Sequence, residues 1–147
     1  MSLPTMKNII ETQKNIDVIT LQIPSLPENL RIIESFIDNV KEQYHISEDI
    51  YGNIIISVIE CVNNAIIHGN KSNSQKNVEL KLSFGDNYVK FSVKDEGNGF
   101  DYHSLPDPTS VENIEKVGGR GVFLMRHLAD EVHFLEDGRQ IELVFYV

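Results

Sequence analysis

Residues 15 to 23, NIDVITLQI, alternate, with Ile19, Leu21 and Ile23 on one face, the period of a half-buried strand. Pro24 and Pro27 end that run. Leu30, Ile33, Ile37, Val40 and Tyr44 then recur at helical spacing, which predicts an amphipathic helix over about 26 to 44. Residues 47 to 69, SEDIYGNIIISVIECVNNAIIHG, predict a second helix. Ser47 suits its N-cap, Glu48 and Asp49 suit its first turn, and Gly69 suits its stop. Asn53, Ser57, Glu60, Asn64 and His68 are spaced by four, three, four and four, a polar stripe on an otherwise apolar helix. Buried polar groups without partners are costly, so such a stripe implies that something polar docks there.

The period then switches from helix to strand. Val78, Leu80, Leu82 and Phe84 alternate with polar residues, Gly85-Asp86-Asn87 forms a turn, and Val89, Phe91 and Val93 alternate in the return. This predicts an antiparallel hairpin with one dry face. Residues 96 to 121 lose all period and carry Gly, Pro and Asp, a loop of about 20 residues and longer than compact domains usually hold without purpose. A short helix over roughly 121 to 129 comes next. Asp137-Gly138 joins two last strands, the second turning Ile141, Leu143, Phe145 and Val147 inward. The order predicts an α/β (α+β) fold: a two-layer sandwich whose mixed, mainly antiparallel sheet is covered on one face by helices. Residues 1–14 read as a tail and 15–147 as one domain.

Composition narrows the function. Thirteen Lys and Arg stand against 22 Asp and Glu, a net charge of −9, which speaks against direct nucleic-acid binding. The single cysteine, Cys61, allows no internal disulfide and fits the cytoplasm, as a small core residue. No apolar run approaches the roughly 18 residues of a membrane span.

Three places can carry chemistry. Glu60 and Asn64, at i and i+4, can face one cavity. Together they suit a hard cation such as Mg²⁺; alternatively Asn64 takes the metal and Glu60 accepts a proton, or the pair is a polar face towards solvent. Asp95 keeps the parity of Val89, Phe91 and Val93 and so points to the dry face, or it starts a turn. Gly97 and Gly99 in DEGNGFD permit close backbone approach, and a buried carboxylate there can accept from the amino group of adenine. Gly118-Gly119-Arg120-Gly121 precedes a helix whose first N–H groups favour an anion, though it is neither a P-loop nor a Rossmann fingerprint.

In that order the boxes resemble the GHKL (Bergerat-fold) ATPases, and more narrowly the anti-sigma factor serine/threonine kinases of bacteria. ECVNNAIIHGN resembles their N-box, DEGNGFD their first glycine box, and DPTSVENIEKVGGRGVFLMRHLADEV their lid, second glycine box and the helix after it. The resemblance covers about residues 15 to 147. It implies Glu60 as the base that activates an attacking hydroxyl, Asn64 as ligand of Mg²⁺ on the ATP phosphates, and Asp95 with Gly97 and Gly99 at adenine. It further implies a lid over about 103 to 118, and Gly119, Arg120 and Gly121 at phosphate. His68 matches the N-box ending and is read as a structural, hydrogen-bonded histidine; Asn63 departs from the family's frequent threonine. The implied chemistry is phosphoryl transfer to a small antagonist (anti-anti-sigma) protein, with sequestration of a sigma factor by a homodimer. Two other readings share these boxes: an ATP-binding partner switch without turnover, and a stand-alone histidine-kinase-like ATPase domain.

Overall fold

The computed structural model of the chain describes residues 18–97 and 119–147, with side chains from 124 onwards in the second segment. The tail and the first residues of the first strand lie outside the described residues. Five strands form one sheet in the order β1 (Val18–Pro24), β2 (Asn77–Phe84), β3 (Tyr88–Lys94), β5 (Gln140–Tyr146), β4 (Glu131–Leu135). Among the described residues every pairing is antiparallel, which agrees with the mainly antiparallel sheet expected. Each hairpin joins neighbours directly, and no crossover needs a parallel pair.

The register aligns the alternating apolar residues into continuous rows. Ile19 pairs Leu82, which pairs Phe91, which pairs Leu143, which pairs Val132. The next row runs Ile23, Val78; the one between runs Leu21, Leu80, Val93, Ile141, Phe134. A slip of one residue would turn every one of these side chains to the opposite face, which is why the pattern specifies the pairing. Phe91 and Phe145 meet edge to face across the inner surface, centroids 6.0 Å apart. Val147 was expected inward and is exposed, because β5 ends at Tyr146 and Val147 sits past the last ladder pair, its N–H on the Asn87 carbonyl.

Three helices cover that inner surface. A 3₁₀ turn at Pro27–Asn29 leads into α1 (Leu30–Tyr44), which buries Ile33, Phe36, Ile37 and Val40. Tyr44 stacks on Phe84 with centroids 3.7 Å apart, closing one end of the layer. His45 takes the left-handed conformation that ends α1, and Ser47 begins α2 (Glu48–Asn64) without a side-chain capping bond. The two helices are latched at their exposed edge: Lys41 pairs with Glu48 and lies over the Tyr51 ring, and the Tyr51 hydroxyl donates to Asp38. The third, α3 (Gly119–Leu128), packs beside α2 and buries Met125.

Against the expectation that no apolar run approaches a membrane span, the stretch Glu48–Gly69 is long and apolar enough to cross one by length and composition alone. Its apolarity is used otherwise here: Ile54, Val58, Cys61, Val62 and Ile66 are buried in the core shared with the sheet. The outer face of the sheet is polar but partly closed. Ser92 and Val144 are buried on it, Gln140 donates to the Ser92 hydroxyl at 2.7 Å, and the Tyr146 hydroxyl donates to Glu131 at 2.5 Å.

Gly52 is a helical position in α2 where an added Cβ meets nothing within 4 Å. Gly52→Ala therefore gains helix propensity without a clash, and stability should rise by about 0.5–1 kcal/mol in urea denaturation. A loss of stability would mean that the open side of α2 is covered.

Candidate nucleotide site

The polar stripe of α2 divides in the structure. Glu60 and Asn64 are half-buried, Asn53 and His68 are exposed, and Ser57 is buried completely. Ser57 lies at i+3 from Ile54 and i−4 from Cys61, both in the core, so its place is the stripe's inner edge. Its hydroxyl oxygen is fully enclosed and without a hydrogen-bond partner among the described residues. Glu60 and Asn64 are adjacent along the helix as expected, and among the described residues neither spends its side chain on a hydrogen bond.

His68 leaves the stripe for a reason the sequence pattern hid. Beyond Asn64 the helix widens into a π turn, Ala65–Gly69, closed by the Asn70 N–H on the Ala65 carbonyl at 2.8 Å. More residues per revolution rotate His68 away from the line drawn at α spacing. The ring makes no hydrogen bond among the described residues. Partial burial, and then Lys71, hold its basicity below the ordinary value.

The π turn carries Gly69 directly onto Asp95. A Cβ on Gly69 would lie 2.3 Å from Asp95 Oδ2, and a Cβ on Gly97 would lie 2.0 Å from the Gly69 carbonyl oxygen. No side chain fits at either position, so two backbone segments and one carboxylate are in contact. Asp95 lies just past β3 at the inward parity and is 8% exposed. Its backbone N–H donates to the Arg139 carbonyl at 2.9 Å, and its Oδ1 accepts the Gly97 N–H at 2.8 Å. Burial raises its pKa above 3.8, while the Gly97 N–H, Arg139 and Lys76 each pull it back. The same burial, with the Asp95 charge next, pushes the Cys61 thiol far up, which makes Cys61 the inert core residue expected.

Around this contact sits a polar knot that the hydrophobic period does not reveal. Asn70, the residue directly after the helix-ending Gly69, is 2% exposed. It bonds Ser25 beyond β1, the Asn77 carbonyl of β2 and the Glu96 N–H after β3. Its only local signal is an amide placed immediately behind that glycine. At the other end, α3 begins at Gly119, so Gly119, Arg120 and Gly121 form its first turn, where backbone N–H groups lack helical partners. Gly99 and the lid expected over 103–118 lie outside the described residues.

The chain fits the histidine kinase-like ATPase domain family over residues 23–145. It is 31% identical to Serine-protein kinase RsbW of Staphylococcus epidermidis, over 92% of this chain and 90% of that protein. It is 28% identical to Serine-protein kinase RsbW of Bacillus subtilis, over 82% and 79%. A solved structure of the RsbU and RsbW domains of a Mycobacterium tuberculosis protein superposes with a TM-score of 0.61 at 14% identity. That likeness of fold covers 88% of this chain and 31% of the other. With its N-box on α2, its buried Asp95 and its glycine-opened α3, the chain belongs to the histidine kinase-like ATPase domains and, within them, to the RsbW serine-protein kinases.

Proposed function

We propose that this chain is an ATP-dependent serine/threonine protein kinase that acts as an anti-sigma regulatory factor. It phosphorylates a small antagonist protein and otherwise sequesters a sigma factor, in the cytoplasm and as a homodimer, with residues 15–147 as its one working domain. The observation that carries the reading is one helix with two polar ends. Gly69, past its far end, touches the buried Asp95, and Glu60 and Asn64, whose side chains make no hydrogen bond among the described residues, lie earlier along it. The nine steps from Glu60 to Gly69 span about 14 Å at helical rise, enough to lay a base at one end and phosphates at the other.

Each residue then has a task. Gly69 and Gly97 pack directly against Asp95 and fix its place, and its carboxylate accepts from the exocyclic amino group of adenine. The first-turn N–H groups of α3 at Gly119, Arg120 and Gly121 receive phosphate oxygens. Asn64 offers one amide oxygen to Mg²⁺, which supplies charge neutralisation on the phosphates when bound. Among the described residues no three His, Cys, Asp or Glu side chains gather into a metal cage, so the ion in this reading arrives with the triphosphate. Glu60 accepts the proton of the attacking serine or threonine hydroxyl.

The reading is tested by titrating the protein with ATP in a calorimeter, with and without Mg²⁺. Binding that strengthens with Mg²⁺ is expected; a folded chain that takes up no ATP would sink the proposal. Glu60→Ala should leave ATP affinity within about twofold and cut phosphate transfer by roughly 10²–10⁴. Equal loss of binding and transfer would remove Glu60 as base.

Asp95→Asn should weaken ATP binding at least about tenfold, since the amide can no longer present a carboxylate to the amino group. Its effect on the empty protein has the opposite sign. A carboxyl whose folded pKa is raised holds its proton more tightly folded than unfolded, so its stability contribution declines as pH rises from 3.8 through the folded value. Above that window the burial cost is present in full. Nucleotide-free Asp95→Asn keeps an oxygen for the Gly97 N–H and should melt at or above the wild-type temperature at pH 7. That advantage should vanish below pH 3.8, the ordinary carboxyl value.

A further inference from the structure

We propose that Asn70 is a positioning residue for base recognition: its side chain sets the backbone turn that aims Asp95, and so sets the preference for a base bearing an exocyclic amino group. The proposal rests on the assignment of Asp95 to adenine under the proposed function. Asn70 itself is too deeply buried to touch a nucleotide, at 2% exposure, and acts through the turn.

The direction of each hydrogen bond around Asn70 is dictated by its neighbours. The Ser25 hydroxyl has one hydrogen and gives it to the Lys76 carbonyl at 2.7 Å. It can therefore only accept from Asn70, and Nδ2 meets it at 2.8 Å. The second Nδ2 hydrogen goes to the Asn77 carbonyl at 3.0 Å. With both donors committed on that side, Oδ1 must face the other way, where it accepts the Glu96 N–H at 2.7 Å. Only a primary amide supplies two donors and an opposed acceptor in this space. Aspartate has no donors at neutral pH, and alanine removes this partner from the Asn77 carbonyl and the Glu96 N–H and leaves Ser25 Oγ only its bond to Lys76.

The Glu96 N–H belongs to the peptide plane that leaves Asp95. Fixing that plane fixes the rotation of Asp95 about its Cα–C bond, while the bond from the Asp95 N–H to Arg139 fixes the incoming plane. Glu96 Oε2 accepts the Asn77 N–H at 2.5 Å, which ties the same turn to β2 a second time. Asp95 is therefore held by its sheet partner on one side and by Asn70 on the other. Without Asn70, the Gly97 N–H on Oδ1 is a local Asx bond that moves with the turn and does not locate it.

The test compares dissociation constants for ATP and inosine triphosphate, measured by calorimetry on the full chain. Inosine carries a carbonyl where adenine carries its amino group. Wild type should prefer ATP by about tenfold or more, the worth of one charge-assisted hydrogen bond. Asn70→Ala should lose about tenfold in ATP affinity but less than about twofold in inosine triphosphate affinity, so that the preference collapses. Ser25→Ala removes one partner of Asn70 and should lower the preference by about threefold. A preference that survives in Asn70→Ala, with both affinities falling together, would overturn the positioning role and leave a purely structural one. Should Asn70→Ala not fold, an unchanged preference in Ser25→Ala overturns it equally. A wild type that binds ATP without preferring it over inosine triphosphate would instead defeat the adenine assignment, and the positioning role with it.

Discussion

The site depends on one steric constraint: the backbone of Gly69 lies against the Asp95 carboxylate and the Gly97 turn with no space for a Cβ on either glycine. That contact joins the end of the core helix to the end of a central strand. Helix and strand have different rises and periods, so bringing their ends into register needs an adjustment somewhere. The π turn at Ala65–Gly69 supplies it, by widening the helix just before the contact. Left-handed backbone at Lys71 and Ser72 then turns the chain towards β2. These non-glycine positions carry modest strain, of the order of 1 kcal/mol each, next to a contact that over-determines their geometry.

The same constraint explains how a helix with hydropathy near that of a membrane span serves a polar site. Its apolar majority fills the interior between sheet and helices, where Ile54, Val58, Val62 and Ile66 are at most 1% exposed. Burial on that scale stabilises by roughly 1.5–3 kcal/mol per side chain, which leaves the helix free to carry polar groups that contribute little to folding. Glu60 and Asn64 sit half-buried on the helix, between core residues such as Cys61, Val62 and Ile66. Asp95 sits where β3 runs out of ladder partners. The candidate site residues thus lie beside, rather than within, the parts of these elements that pack the core.

What was legible in the sequence came from period. Alternation in β2, β3 and β5 set the register, and the parity of Val89, Phe91 and Val93 placed Asp95 inward before any contact was known. Glu60 and Asn64 were found as neighbours because i and i+4 is local arithmetic. What escaped was non-local or broke the period. The π turn displaced His68, because a stripe extrapolated at 3.6 residues per turn assumes one kind of helix throughout. Ser57 turned inward because the stripe's width cannot be read from spacing. The Asn70 knot joins residues 25, 70, 77 and 96, and no local pattern connects them.

The buried polar groups near the site fall into two kinds, and the difference is informative. Asn70 and Ser25 have each donor committed, as expected for groups whose task is to hold a structure. Asp95 keeps Oδ2 without a hydrogen bond among the described residues, although burial disfavours its charge. Folding alone would favour a neutral amide there, since a buried carboxylate with unused acceptor capacity costs free energy. A site that must receive N–H donors from a ligand needs that unused capacity in advance, held rigidly and backed by groups that are themselves satisfied. The knot around Asn70 and the close packing of the two glycines together provide that rigid backing. A position that is poorly optimised for stability, framed by positions that are fully optimised, is what a binding site built for a preformed base contact requires.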